Sequence, residues 1–287
     1  MEFHKLTSTD AFIVFDLGDA PAVGVVRQAP KVLRDGAELL ARSTTYAMAS
    51  FGLQLGGASA GINAKPDDRD AALAAFLAEV APLVESGRWL PGPGVGVAAD
   101  DLSDLARPDE RAAAFDQVAA GESAVAAALG ALGTLQDKQV AIVGSGPVAE
   151  AAAASAAANG ATPQPQASID VACDALLVAG KAGVLEHDLA ATVQAAVVVP
   201  LAPVPVTARA LAVLGRAGVV VVPDFLSTAA PTLSAVDPDG GDAMLRVHDA
   251  VAELSSEGTN LWMAAVTQAE EHLLTWQEQL PFGRPLS

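Results

Sequence analysis

The sequence predicts an α/β protein of two domains, the second of them a doubly wound parallel sheet. Three observations lead there. In the second half, short all-apolar runs at residues 175–180, 195–200 and 218–223 alternate with helical stretches. Such runs suit parallel strands covered on both faces. The run KQVAIVGSG, ending at Gly146, reads as a buried strand entering a glycine turn, and the Ala-dominated stretch 147–159 reads as the helix leaving it. The chain also has 287 residues, 52% of them apolar. That is enough to build two hydrophobic cores and argues against disorder. Aromatics are only 4%, so the cores are expected to be packed from small and branched aliphatics.

Along the first half, AFIVFDL (11–17) reads as a strand, 18–21 as a turn and VGVVR (23–27) as a second strand. Residues 32–50 carry Leu33, Ala37, Leu40 and Ala41 on one face and predict a helix. LGGASAGI (55–62) reads as a small-residue loop. A second helix is expected over 68–86, with Ala72, Leu73, Phe76, Leu77, Val80 and Leu83, followed by a turn and a short extended run over 91–102. A helix over 122–132 links the halves, and a last helix over 259–279 is expected to return to the first domain. The expected domains are therefore 1–121, 122–258 and a returning segment 259–287. No tandem repeat is present.

The formal charge is −18, from 34 acidic and 16 basic residues. Such a surface repels nucleic acid and anionic membranes. The acids are scattered rather than blocked, which favours an acidic, halophilic surface over a docking face for a cationic partner. A single cysteine, Cys173, excludes an intramolecular disulfide and a cysteine-based zinc cluster. The N-terminal stretch lacks the layout of a signal peptide, and the apolar run over 195–206 is short and broken by prolines. A cytoplasmic protein, with neither membrane nor nucleic-acid partner, is expected.

The glycine turn is the most specific local motif. Gly144 and Gly146 fit the first two glycines of a dinucleotide fingerprint, with Ser145 between them and Ala149 at the third position after Pro147 and Val148. The first glycine allows the tight turn, the second lets backbone approach a pyrophosphate, and the small third residue lets helix pack on strand. The helix N-terminus would face the phosphates. A Rossmann-like domain follows, with NAD or NADP as the cofactor the turn would take. Its usual ribose-binding acid, about 20 residues beyond the first glycine, is missing. That region reads GATPQPQAS (160–168), where Pro163 and Pro165 are expected to break a strand, so the retention of the cofactor stays open.

Five segments in order then resemble the Glu/Leu/Phe/Val dehydrogenase family. PAVGVVR (21–27) is similar to its P-A-L-G-G-x-R strand, and TTYAMASFGLQLGGASAGI (44–62) to its T-Y-K-x-A-x-x-G-L-x-x-G-G-x-K-x-x-I segment. GPGVGVAADDL (92–102) is similar to G-P-x-x-D-V-P-A-P-D-M. CDALLVAGKAGVLEHD (173–188) is similar to C-D-x-x-x-P-x-A-x-G-G-V-I-x-x-D, and VVPDFLSTAAP (221–231) to A-P-D-Y-L-x-N-A-G-G. The resemblance implies an N-terminal dimerisation and substrate domain followed by the Rossmann-like one. It also implies homo-oligomers, or hetero-oligomers with a related dehydrogenase. The family passes hydride from an α-amino acid to NAD(P), using one lysine for the substrate carboxylate, a second lysine of lowered pKa to activate water, and an aspartate for protons at nitrogen.

The sequence departs from the family at those places. The two lysine positions hold Ala47 and Ser59, and only the aspartate matches, as Asp101. Ala47 has no charge for a carboxylate, and a lone hydroxyl cannot replace an amine base. The G-G pair is Gly24-Val25, and the N-A-G-G positions hold Thr228, Ala230 and Pro231. Lys31 and Lys65 read as surface charges, Lys181 as a loop lysine at the ligand edge, and Arg27 as structural or substrate-facing. Asp100 and Asp101, if extended, would point to opposite faces. The four histidines lack metal-ligand spacing; His187 and His248 read as helix starts or surface positions. Ser145 is no nucleophile elbow, and Trp262 and Trp276 read as packing residues. Three readings stay open: a dehydrogenase scaffold without the parent reaction, acting as a structural or regulatory subunit; an NAD(P)-dependent oxidoreductase with an altered substrate; and a small-ligand sensor.

Overall fold

The structure is a computed structural model and describes residues 1–106, 116, 118–256 and 260–287. It divides into two compact units. One comprises Met1–Phe115, Thr232–Pro238 and Glu270–Pro285; the other comprises Asp116–Pro231, Asp239–Ala269 and Leu286–Ser287.

The first unit is a five-stranded mixed sheet with a helix on each face. Its strands are β1 (Glu2–Lys5), β2 (Ala11–Phe15), β3 (Ala22–Ala29), β4 (Gly56–Asn63) and β5 (Trp89–Pro93), in the order β1-β2-β4-β3-β5. β3, β4 and β5 run parallel, while β2 joins β4 antiparallel and β1 joins β2 antiparallel. Helices α1 (Arg34–Ser50), α2 (Arg69–Glu85) and α3 (Ser103–Ala106) complete it. α2 buries Leu73, Phe76, Val80 and Val84, a stripe at helical spacing. The stripe packs on Ile13, Phe15, Ala58, Ala60 and Ile62, while α1 places Ala37 and Ala41 against Phe12 and Val14 on the other face. Phe15 and Phe76 each meet Trp89 edge to face at 6.3 Å.

Three expectations fail here. Residues 55–62 are not a loop: β4 is a central strand hydrogen-bonded on both sides. Its glycines are there for close packing. A Cβ on Gly57 would overlap the Ala41 carbonyl of α1, so only glycine lets the helix lie this close. The second difference is at the N-terminus, where β1 forms an edge strand in a stretch with no predicted element. The third is at residues 91–102, where β5 precedes the turn and Asp100–Leu102 form a 3₁₀ turn rather than an extended run.

The second unit carries five parallel strands: β6 (Gln139–Val143), β7 (Thr162–Pro165), β8 (Ala172–Val178), β9 (Gln194–Pro200) and β10 (Val220–Val221). Their order is β10-β9-β8-β6-β7. This is the doubly wound parallel sheet that the apolar runs predict. Its helices are α4 (Ala119–Leu132), α5 (Pro147–Ala158), α6 (His187–Ala190), α7 (Ala208–Arg216), α8 (Asp224–Ser227) and α10 (Ala243–Ser256). α9 (Ala230–Val236) and α11 (Leu261–Leu273) are each divided between the units.

Pro163 and Pro165 do not break β7. It is the edge strand, and Thr162 and Gln164 alternate with the prolines, so the missing N–H groups can face away from β6; Thr162 donates to the Lys138 carbonyl at 2.8 Å. β7 then reaches β8 in six residues with no helix between them, so the unit is shortened as the sequence suggests. His248 is not a helix start but lies within α10, half-buried and 2.8 Å from Asp249 Oδ1. The last helix ends at Leu273, well short of residue 279; Thr259, where it was expected to begin, lies outside the described residues. No helix among the described residues is long and apolar enough to cross a membrane.

Candidate functional site

In the first unit the residues of interest lie on β3, β4, α1 and the segment after β5. Ser59 is in register with Val14 on one side and Val25 on the other, so it shares the sheet face covered by α1. It is fully buried, and its Oγ has no hydrogen-bond partner among the described residues. Ala47, near the end of α1, is also buried. Its neighbour Tyr46 donates to Glu270 at 2.9 Å, and Arg284 holds the same carboxylate. Burial, then the Glu270 bond and charge, push the Tyr46 hydroxyl well above its usual range. The helix is pinned at its base by a buried pair: Arg42 Nε lies 2.8 Å from both oxygens of Asp16, and Arg42 also donates to the Phe282 and Gly283 carbonyls.

Asp101 is committed elsewhere. The Ala98 N–H donates to its Oδ2 at 2.8 Å, and Arg69, the first residue of α2, pairs with the same oxygen. Burial acts to raise the Asp101 carboxyl, but the Ala98 N–H and the Arg69 guanidinium outweigh it and hold the group below the usual carboxylate range. No side-chain hydrogen bond or ion pair joins any two of positions 47, 59 and 101 among the described residues. Gly24 is required where it stands, because a Cβ there would overlap the Ala58 backbone. Arg27 is half-buried on β3, in register with Gly61. Its Nε and Nη2 are shut away without partners, and desolvation lowers its pKa. Arg69 and Arg42 are the residues that sequence reasoning missed; no spacing rule joins Arg69 to Asp101 or Arg42 to Asp16.

In the second unit the glycine turn has the geometry that the motif requires. β6 ends at Val143, Gly144 has φ +121° and Gly146 has φ +94°, and α5 begins at Pro147. A Cβ on Gly144 would lie 2.7 Å from Ala179 Cβ, on the loop leaving β8, whereas the space before Gly146 is open. Gly144 therefore allows the close crossing, and Gly146 leaves a bare backbone approach. Ser145 is exposed, Val148 half-exposed and Ala149 buried. Pro147 removes one N–H from the helix end, which leaves Gly146, Val148 and Ala149 as donors. The crevice at the carboxyl ends of β6 and β8 is the topological switch point of the sheet.

The turn leaves the bare backbone approach that a pyrophosphate would need, but no acid stands among the residues at the end of β7 where a ribose would be held. Gln164 donates to Gln139 Oε1 at 2.9 Å, and Gln166 is exposed with φ +53°. Lys181 is exposed on the loop after β8. Trp262 is buried edge to face against Phe225 at 6.4 Å, the packing role expected of it. Neither His187 nor His248 joins a metal-binding group, and no such group is found among the described residues. Gly121 and Gly130 of α4 went unnoticed in the sequence. They are the contact points where α4 packs on the backbones of α5 and α10.

A mixed sheet flanked by helices, followed by a parallel sheet with a glycine turn at its switch point, is a fold shared with solved amino-acid dehydrogenases. Residues 5–108 match the family described as Glu/Leu/Phe/Val dehydrogenase, dimerisation domain, so the resemblance read from the sequence holds over the first unit. Among solved structures, the chain is similar to the hetero-hexameric glutamate dehydrogenase from Thermus thermophilus in its Leu-bound form. That match has TM-score 0.74 and 22% identity, and covers 92% of this chain and 83% of the other. It is also similar to L-tryptophan dehydrogenase from Nostoc punctiforme (TM-score 0.68, 19% identity, 96% of both chains). A third similar structure is glutamate dehydrogenase from Plasmodium falciparum (TM-score 0.74, 13% identity, 92% of this chain and 79% of the other). Curated protein sequences give no match.

Proposed function

We propose that this chain is an amino-acid dehydrogenase scaffold that does not carry out oxidative deamination and serves as a structural or regulatory subunit of an oligomer. The observation that carries the reading is Ser59. At the position where the resemblance puts the family's water-activating lysine stands a fully buried hydroxyl with no hydrogen-bond partner among the described residues, and so no base there to take its proton. Two further features support it. Ala47 offers no cation for a substrate carboxylate, and Asp101 is held as a carboxylate by Arg69 and the Ala98 N–H, a poor state for taking and returning protons near neutral pH. The similarity to a hetero-hexameric glutamate dehydrogenase makes a mixed assembly with a related active subunit a natural setting. The first unit's match to a dimerisation domain makes self-association the simpler one.

The test is turnover. A panel of amino acids assayed with NAD and with NADP, in high salt and over a range of protein concentrations, is expected to give no hydride transfer above background. Turnover at a rate typical of enzymes would sink the reading. A second reading, an NAD(P)-dependent oxidoreductase with an altered substrate, is favoured by the Gly144–Gly146 turn, which keeps the form of a phosphate cradle. Calorimetric titration with NAD and NADP separates the two, because the oxidoreductase requires binding and the scaffold does not.

A further inference from the structure

The carboxyl edge of the second sheet is where a dinucleotide would lie, one mononucleotide half on each side of the switch point. On one side stands the glycine turn after β6. The other side is formed by the loops after β8 and β9, and here the chain supplies its own occupant. Ser287 Oγ donates to the Val204 carbonyl at 2.8 Å, and the Ser287 main-chain oxygen accepts from Ala208 N, at the start of α7, at 3.2 Å. A Cβ on Gly183 would come within 3.4 Å of Ser287 Cβ, so the loop after β8 is closed against the segment as well.

The loop that receives the segment is held in an uncommon state. Val204 is a buried β-branched residue with φ +53°, a left-handed conformation that such side chains rarely adopt. Three bonds fix it there: its N–H to Asp224 Oδ2 at 2.9 Å, its carbonyl to Gly183 N–H at 2.9 Å, and the same carbonyl to Ser287. Backbone strain of this kind persists where the surroundings over-determine it, and it gathers at ligand clamps and switches. Here one of the three restraints comes from a segment far away in the chain.

We propose that the Leu286–Ser287 segment is an autoinhibitory occupant of this edge, standing where the second half of a dinucleotide would bind. The glycine turn stays open, and the opposite half of the site is filled by the chain itself. Displacing the segment frees one acceptor position on the Val204 carbonyl, which keeps its bond from Gly183 N–H, together with the Ala208 N–H at the head of α7 and the face of Gly183, for an incoming ribose or phosphate. The inference goes beyond the scaffold reading and is independent of turnover.

The test is calorimetric titration of the full chain with NAD and NADP, and of a variant lacking residues 286 and 287, both in high salt. The variant is expected to bind the nucleotide roughly tenfold more tightly or better, on the order of one or two net hydrogen bonds no longer in competition. Ser287→Ala, which removes only the hydroxyl bond, is expected to fall between the two and guards against a variant that fails to fold. Equal affinity in all three forms would overturn the proposal. So would the absence of binding in all three, since a removed competitor would then have been excluding nothing. Tight binding by the variant without turnover supports this proposal and leaves the scaffold reading intact, whereas turnover by either form would sink the scaffold reading alone.

Discussion

At the scale of single residues, Ser59 has a cost that can be measured. A hydroxyl buried away from water without a partner loses its hydration and gains nothing in exchange. Ser59→Ala is therefore expected to stabilise the chain by about 1 kcal/mol, read as a higher urea midpoint with an unchanged slope. A loss of stability would mean that the hydroxyl has a partner. A lysine in its place would fare worse, because a fully buried ammonium left without a partner costs several kcal/mol. Ser59→Lys alone should therefore damage the fold. Asp101 shows the converse case: Arg69 and the Ala98 N–H both engage one of its carboxylate oxygens.

At the scale of elements, close contacts decide the packing. α4 is built almost wholly from small residues, and at Gly121 a Cβ would overlap the Val148 carbonyl and lie 2.8 Å from the Ala152 nitrogen of α5. Gly121→Val should drive these helices apart and cost roughly 3 kcal/mol, at the upper end of overpacking, with faster amide exchange along α5 as the readout. Exchange unchanged in α5 would refute the contact. Glu79 on α2 supplies a second element-scale case. It accepts from the N–H groups of Thr7 and Ser8 and from both hydroxyls, tying the turn between β1 and β2 to the helix. The Ser8 hydroxyl bond leads the bonds that hold its carboxyl down at about 2. A depressed folded-state pKa stabilises the fold above the unfolded value, here 4.5, and the contribution is lost as pH falls from there through about 2. The gap in unfolding temperature between the natural chain and Glu79→Gln should thus be widest above pH 5 and close toward pH 2. A gap independent of pH would refute the assignment.

The elements also show what could be read from the sequence. The parallel strands β6, β8 and β9 and the helices α1, α2 and α5 were legible because apolar runs and helical spacing are local signals. β4 was not, since a glycine-rich stretch reads as a loop until α1 is seen lying on it at Gly57. β7 was not, since prolines exclude a central strand but are tolerated at an edge, and edge position is a property of the whole sheet. Of the candidate site, the sequence offered residues in segments that resemble the family's motifs. It could not reveal that Asp101 is held by Arg69, or that Ser287 reaches Val204, because both pairings join residues far apart in the chain.

At the scale of the whole molecule, charge and closure pull against each other. A formal charge of −18 raises the energy of the compact state through self-repulsion, which ions relieve once the Debye length falls to a few ångströms. The unfolding temperature should therefore climb steadily between about 0.05 and 1 M sodium chloride, the range over which that length shrinks to roughly 3 Å. Within the first unit, Asp16 and Arg42 work in the opposite sense. They form a buried ion pair that also gathers the Phe282 and Gly283 carbonyls, so a strand end, a helix and a segment 240 residues further along meet at one guanidinium. Arg42→Met would leave Asp16 buried and unpaired at a cost of about 3–5 kcal/mol. Salt should do little to recover that loss, because the pair is shut off from solvent and scarcely screened. The expected result is two salt titrations that rise in parallel, with the variant displaced downward throughout. Curves that converge at high salt would show that Arg42 acts as one more surface charge rather than as the clasp of its unit.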